Sequence, residues 1–174
     1  MPNFTVAKHR DYPSVRDFYY SLTDAMADAE FKPGWENDVY PAQNFLINSI
    51  KNGELYILED GGKIIACAVA NHEYNEGYRD IKWSVSAKDS ELIVIHALGV
   101  SPEHSGKGMA KIMVRHIIGI AKEKNIKTVR LDVLKGNIPA EKAYLKCGFN
   151  YVDTIQMYYE DTGLTDYKAF ELIF

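Results

Sequence analysis

The chain has 174 residues and a formal net charge of −4, with 47% hydrophobic and 25% charged residues. This length suits one domain, residues 1–174, and the ordinary composition excludes an intrinsically disordered chain. The longest apolar run, Ile64–Ala70, is too short to span a bilayer. We therefore expect no membrane association, and the N-terminus has no secretory signal pattern.

Hydrophobic periodicity predicts the elements of the first half of the chain. The predicted order is a strand, two helices and two strands, at Phe4–Lys8, Tyr12–Ala29, Pro41–Ile50, Glu54–Asp60 and Lys63–Asn71. Lys32-Pro33-Gly34 separates the two helices, and Gly61-Gly62 indicates a tight hairpin turn. The polar segment Asn75–Asp89 predicts a loop with an irregular strand around Trp83.

The second half predicts a central buried strand at Glu91–Val100, followed by a helix whose entrance is rich in glycine. The remaining predicted elements are a strand, a short helix and two terminal strands, at Thr128–Leu134, Pro139–Lys146, Tyr151–Glu160 and Lys168–Phe174. Helices and strands in this order predict an α+β or mixed α/β domain around one sheet.

Charge and cysteine usage narrow the possible partners. Residues 101–150 carry a local balance of +6, so the rest of the chain carries −10. The net charge argues against nucleic-acid binding, whereas the basic window indicates an anionic ligand.

Cys67 and Cys147 form no CxxC pair, which excludes a disulfide scaffold or zinc ribbon and favours a cytoplasmic location. The histidines have no metal-ligand spacing, so no metal is expected.

The segment 99–110 lies between a predicted strand and a predicted helix, where free backbone N–H groups and the helix dipole favour a phosphate. It is not a P-loop, because Lys107 precedes Gly108 and no glycine occupies position 101. It is not a dinucleotide fingerprint either, because Lys111 stands at the third glycine position.

Two motifs resemble those of the GNAT superfamily of N-acyltransferases. Val100-Ser101-Pro102 and Gly108-Met109-Ala110 are similar to its V-x-P strand end and [RQ]xxGx[GA] loop, although Ser105 replaces the usual Arg or Gln. Downstream, residues 137–149 resemble its NxxAxxxYxxxGF segment. The resemblance implies a twisted, mostly antiparallel sheet of about seven strands, splayed between the two central strands and flanked by about four helices. It also implies a strand-end bulge near Leu98-Gly99-Val100, where Gly99 would relieve the backbone.

The resemblance further implies acetyl-CoA as cofactor, with CoA as product. Leu98, Gly99 and Val100 would meet the pantetheine arm, Asn137 and Ala140 would line it, and the backbone around the glycine loop would hold the pyrophosphate. The loop residues assigned to this role are Ser105, Gly106, Lys107, Gly108, Met109, Ala110 and Lys111. Tyr144 matches the position of the proton donor to the CoA thiolate and would also contact the cofactor.

Acetylation of an amine also needs a group that removes a proton, because free amines are mostly protonated at pH 7. His96, in an otherwise apolar strand, is the candidate because its unperturbed pKa is suitable, although a lone histidine in a buried strand is more often a core residue. Glu91 at the strand start and a chain of waters are alternatives. Cys147 follows the apolar face of a helix and is interpreted as a core residue rather than a nucleophile.

The acceptor side would come from the N-terminal helices and the loops over the sheet, where Trp35, Tyr40, Tyr78 and Trp83 are candidate substrate-binding residues. We predict an N-acetyltransferase that acts on a primary amine of a small molecule or peptide, as a monomer or homodimer. Two alternatives stay open at this point. One is a non-catalytic acyl-CoA sensor, and the other is an acetyltransferase of protein N-termini or lysines.

Overall fold

The computed structural model describes residues 2–32 and 34–174, and within these residues the chain forms seven β-strands and four α-helices. The strands are β1 (Asn3–Val6), β2 (Leu55–Asp60), β3 (Lys63–Asn71), β4 (Leu92–Val100), β5 (Thr128–Leu134), β6 (Asn150–Tyr159) and β7 (Gly163–Ile173). The α-helices are α1 (Tyr12–Met26), α2 (Gln43–Lys51), α3 (Met109–Glu123) and α4 (Ile138–Lys146). Pro33, part of the predicted helix break, lies outside the described residues.

The strands form one sheet in the order β1-β2-β3-β4-β5-β7-β6. Every neighbouring pair is antiparallel except β4 and β5, which are parallel and are connected by α3. This architecture confirms the predicted mixed, mostly antiparallel sheet with helices around it.

Helices cover both faces of the sheet because the side chains of its strands alternate. In β3, Ala66 and Ala68 pack with the apolar stripe of α3, whereas Cys67 and Val69 pack with α1 and α2 on the opposite face. A third apolar cluster lies beneath the segment after β3, where Tyr78 packs with side chains of β4, β6 and β7. The described helices are all too short or too polar to cross a membrane.

The sheet splays at its centre. β4 and β5 pair only at Leu92↔Thr128, Ile93↔Val129 and Val94↔Arg130, although both strands continue beyond these positions. The predicted splay is therefore present, and it leaves one edge of β4 without a strand partner from about its midpoint.

A bulge bends β4 where the splay opens. Cys67 pairs with Gly99 and Val69 pairs with His96, so β4 carries one extra residue between these two pairs. Ala97 has a φ of 49°, in the left-handed region that disfavours a side chain. Two tyrosine hydroxyls hold the backbone of Ala97 in this conformation. Tyr19 Oη donates to Ala97 O at 2.7 Å, and Ala97 N donates to Tyr40 Oη at 3.2 Å.

Gly99 has a different role from the predicted relief of backbone strain, because the positive φ belongs to Ala97. A Cβ at Gly99 would stand 2.4 Å from Leu22 Cδ2 and 3.4 Å from Phe18 Cε1. Glycine at this position therefore leaves room for the Leu22 side chain of α1 to pack closely against β4.

The segment after β3 also differs from its prediction. Residues 76–80 form a 3₁₀ helix and residues 81–88 form bends rather than a strand around Trp83. At the C-terminus, β7 begins at Gly163 rather than at residue 168, because the β6–β7 hairpin stays paired up to Tyr159↔Gly163. The first long helix ends at Met26 rather than at residue 29.

Candidate functional site

An outer groove of about 510 Å³ runs along the start of α3 and one side of α4. Gly106 and Gly108 have φ values of 72° and 82°, which turn the chain into the helix. Ile112 N donates to Gly108 O at 3.1 Å, so the N–H groups of the three helical residues before Ile112 have no backbone acceptor within the described chain. The groove therefore presents a partial positive charge suited to a phosphate.

The groove collects most of the residues that the loop motif predicted. Its lining includes Ser105, Gly106, Gly108, Met109, Ala110 and Lys111. Lys107 points elsewhere: its side chain is exposed and outside this lining. Lys142 and Lys146 line the groove from α4 and were not predicted as site residues. Their i, i+4 spacing, which places both on one helix face, was the available signal.

The splayed edge of β4 forms the inner end of the groove. Leu98 and Val100 line it, whereas Gly99 lies on the α1 face against Leu22. Asn137 caps α4, since its Oδ1 accepts a hydrogen bond from Ala140 N at 3.3 Å. The tertiary structure thus brings the two sequence motifs to opposite walls of one slot.

A smaller inner cavity of about 110 Å³ adjoins the groove beyond this slot. Leu98, Ala140 and Tyr144 line both spaces and so form the partition between them. The remaining wall of the inner cavity is largely aromatic and acidic, with Trp35, Tyr40, Asp132, Tyr159, Asp161 and Tyr167. Asn137 and His96 also line it.

Tyr144 occupies the centre of the partition. Its side chain is only 8% exposed and its ring packs edge-on against Phe149 at 5.9 Å. The hydroxyl forms no hydrogen bond with any described residue, so it is available to a ligand. Burial, with a smaller contribution from the charge of Asp132, raises the pKa of Tyr144 well above its usual value. Tyr144 therefore keeps its proton at neutral pH.

Asp132 is the main functional candidate that the sequence analysis missed. Tyr78 Oη and Tyr159 Oη donate to its Oδ2 at 2.7 and 2.9 Å, while its Oδ1 accepts no hydrogen bond from the described residues. Burial raises the pKa of Asp132, and the two phenol hydrogen bonds oppose this shift only in part. The available signal was a carboxylate in the middle of the apolar strand beside the second motif.

His96, the predicted base, lines the inner cavity, and one of its two ring nitrogens is already hydrogen-bonded within the protein. Its Nε2 lies 2.9 Å from Asn71 Oδ1 and 3.0 Å from Glu73 O. Because a carbonyl oxygen only accepts, the contact with Glu73 requires the proton on Nε2 and leaves the lone pair on Nδ1. Burial lowers the pKa of His96 to about 4, so the imidazole is neutral at pH 7.

The predicted acceptor residues divide into two groups. Trp35 and Tyr40 line the inner cavity, whereas Tyr78 is buried behind Asp132 and reaches it through its hydroxyl. Trp83 is not brought to the cavity. Its ring covers the Arg130 guanidinium at 4.3 Å, and Arg130 forms a buried ion pair with Glu171 at 3.1 Å.

The other sequence candidates lie away from the partition. Glu91 pairs with Lys127 at 2.9 Å at the start of β4, and this hydrogen bond is the main reason that its pKa is lowered. Cys147 lines neither the groove nor the inner cavity. Within the described residues, no three His, Cys, Asp or Glu side chains are arranged to hold a metal ion.

This arrangement suits the transfer of a group between two ligands. An anionic ligand can lie in the groove with its end at the partition, and a second ligand can enter the inner cavity from the other side. Tyr144 places a protonated hydroxyl at their junction, and Asp132 places a carboxyl group in the inner cavity. The two carboxylates of the inner cavity would favour a cationic second ligand.

Known proteins match this chain in sequence and in fold. A streptothricin acetyltransferase from Streptomyces lavendulae is 30% identical over 74 residues, which is 42% of this chain and 39% of that relative's length. A GNAT-family acetyltransferase structure from Streptococcus agalactiae superposes with a TM-score of 0.79 at 18% identity, covering 99% of this chain and 95% of the other. An acetyltransferase from Salmonella typhimurium, solved with its cofactor acetyl-CoA, superposes with a TM-score of 0.70 at 14% identity, covering 99% and 93%.

The structural likenesses, at these low identities, establish the fold. The family itself is established by the sequence profile of the "Acetyltransferase (GNAT) family", which matches residues 17–149. That range includes most of α1, the glycine loop and the partition residues. This chain belongs to the GNAT family of acetyltransferases.

Proposed function

We propose that this protein transfers an acetyl group from acetyl-CoA to a primary amine that enters the inner cavity. The observation that carries the proposal is Tyr144, a largely buried side chain whose protonated hydroxyl has no partner among the described residues at the boundary of groove and cavity. A proton donor is useful at that position if a leaving group departs on one side of the partition while a nucleophile attacks from the other.

The outer groove fits acetyl-CoA. Its free N–H groups and positive-φ glycines suit a pyrophosphate, and a Cβ at Gly106 or Gly108 would stand in open space that a ligand can use. The positively charged side chains of Lys111, Lys142 and Lys146 line the groove, where they are available to the phosphate of CoA that is not part of the pyrophosphate. The unpaired edge of β4 at Leu98 and Val100 presents backbone groups to an amide-containing arm. When bound, acetyl-CoA supplies an acetyl group activated as a thioester.

Asp132 is the group we assign to the incoming amine. A lysine-like amine has a pKa of about 10.4 and arrives protonated, so it needs a hydrogen-bond acceptor that can also take its proton. Oδ1 of Asp132 has no other partner among the described residues, and its raised pKa improves it as a base. His96 is the second candidate, through the lone pair of Nδ1. Tyr144 holds the proton that the departing sulfur needs.

The replacement of Tyr144 by phenylalanine tests the proposal. Because its hydroxyl has no partner within the described chain, Tyr144→Phe should leave stability and CoA affinity nearly unchanged while turnover falls by about 100-fold. Thiol release from acetyl-CoA with a panel of amines measures turnover, and calorimetry measures CoA affinity. Tyr151→Phe is a matched control, since Tyr151 is exposed on β6.

The alternative functions predict other results. An acyl-CoA sensor would bind CoA and release no thiol with any amine, and this result would overturn the proposal. If Tyr144→Phe retained the parental rate with chemistry rate-limiting, water would be the acid. Acetylation of folded proteins but not of small amines would favour the N-terminal or lysine alternative. The cytoplasmic location and the monomeric or dimeric state stay predictions from the sequence.

A further inference from the structure

The inner cavity is too small to enclose a drug-sized acceptor. Its volume of about 110 Å³ is well below the roughly 300–1,000 Å³ of pockets that enclose such a molecule. The acceptor is therefore either small or extends past the rim of the cavity. The rim is formed by the loop between α1 and α2, which contributes Trp35 and Tyr40, and by the β6–β7 turn, which contributes Asp161.

The cavity and its rim carry negative charge that no cation of the described chain neutralises. Asp132 and Asp161 line the cavity, whereas no lysine or arginine does among the described residues. Neither aspartate forms an ion pair with the described part of the chain. Glu36 approaches the turn, and its charge adds to the effect of burial in raising the pKa of Asp161. A positively charged ligand would relieve this repulsion.

An aromatic belt connects the two carboxylates. Ring centroids lie 5.5 Å apart for Trp35 and Tyr40, 6.3 Å for Tyr40 and Tyr159, and 4.9 Å for Tyr159 and Tyr167. Tyr40, Tyr159 and Tyr167 line the same cavity as Asp132 and Asp161. Aromatic rings attract cations through their faces and exclude water from an alkyl chain.

We propose that the acceptor is an unbranched primary amine with a second positive charge, a diamine in its simplest form. Asp132 receives the amino group that is acetylated, and Asp161, with Glu36 beside it, binds the second ammonium group. The side chain of Tyr144, only 8% exposed and with a hydroxyl that has no partner among the described residues, marks the same cavity as a ligand site independently of the carboxylates. This inference rests on the proposed acetyl transfer and adds the substrate class.

Matched amines test the second charge. 1,4-Diaminobutane and butylamine have the same chain length, and the diamine should be used with a kcat/KM at least about tenfold higher. Asp161→Asn should lower kcat/KM for the diamine about tenfold, mainly through KM, and should lower it less for butylamine, which has no second charge. Asp166→Asn is the control, because Asp166 lies on the same hairpin but is paired with Lys135 outside the cavity. The diamine preference should weaken as salt is raised.

Direct binding separates this inference from the proposed function. Calorimetry with 1,4-diaminobutane on the CoA-saturated protein should give a binding signal that Asp161→Asn reduces and Asp166→Asn preserves. Equal use of the two amines, or equal effects of the two variants, would overturn the inference while acetyl transfer still stood. Diamine binding without thiol release from acetyl-CoA would refute acetyl transfer and leave the cation site supported.

Discussion

Replacing Asp132 with asparagine should slow acetyl transfer without destabilising the protein. If Asp132 removes the proton from the amine, the rate at neutral pH should fall by about 100-fold to 10,000-fold, as for other general bases. An asparagine side chain keeps the shape, and its carbonyl oxygen can still accept from Tyr78 Oη and Tyr159 Oη. The variant therefore separates the charge of Asp132 from its place in the structure.

The stability of the variant follows from the same contacts. Two hydrogen bonds to a carboxylate become bonds to an amide, a loss of about 1 kcal/mol each. Against this loss, a buried carboxylate costs several kcal/mol in desolvation. Burial is the largest influence on the pKa of Asp132 and raises it, so Asp132→Asn should gain rather than lose free energy of unfolding at neutral pH. Such a gain in stability with a loss of activity is typical of functional sites.

The pH dependence of both properties provides the check. Because the folded-state pKa of Asp132 lies above its unfolded value of about 3.9, the wild type loses stability relative to Asp132→Asn as pH rises through the folded-state pKa. The two proteins should converge below about pH 4. In the variant, raising the pH from 7 to 9 increases the free amine about 100-fold and should restore part of the rate.

Thermal unfolding at several pH values and thiol release with chemistry rate-limiting measure the two effects. Asp166→Asn, the same change at an exposed ion pair, should alter neither the rate nor the pH dependence. If Asp132→Asn acetylated amines at the parental rate at pH 7, proton removal would belong to His96 or to water. A loss of more than about 2 kcal/mol would show that the carboxylate has a structural role, contrary to this reasoning.

Two further predictions concern the frame of the site. Gly99→Ala should cost about 1–3 kcal/mol in chemical denaturation, because its Cβ would meet Leu22 Cδ2 at 2.4 Å. Gly119→Ala, in α3 with no atom within 4 Å of the new Cβ, should instead stabilise by about 0.5–1 kcal/mol, and the reverse order would contradict the packing argument. His96 has its pKa lowered to about 4, so the folded state binds fewer protons than the unfolded state between about pH 4 and 6.5. Stability should therefore fall by about 3 kcal/mol as pH drops through that window, and His96→Gln should lack most of this fall; an unchanged pH profile would place His96 in a solvated environment.

The parts of this protein that the sequence determined are those set by local geometry. Glycines at 106 and 108 permit the left-handed turns that open α3, and Asn137 caps the helix that begins after it. The Gly61-Gly62 pair also predicted the tight turn between β2 and β3. These features depend on residues within a few positions of one another, so the groove and its motifs were predictable.

The inner cavity was assembled by the tertiary structure, although some of its residues were candidates from the sequence. Its wall combines Trp35, Asp132 and the neighbouring Tyr159 and Asp161, which come from three segments far apart in the sequence. The bulge in β4 was likewise not predictable in detail, because its strained residue is Ala97 rather than Gly99. The hydroxyls of Tyr19 and Tyr40, which are 78 and 57 residues away in the sequence, hold the backbone C=O and N–H of Ala97. Trp83, an expected acceptor residue, instead packs over Arg130, which forms a buried ion pair with Glu171. Long-range contacts of this kind stabilise conformations that local preferences disfavour, and only the folded chain reveals them.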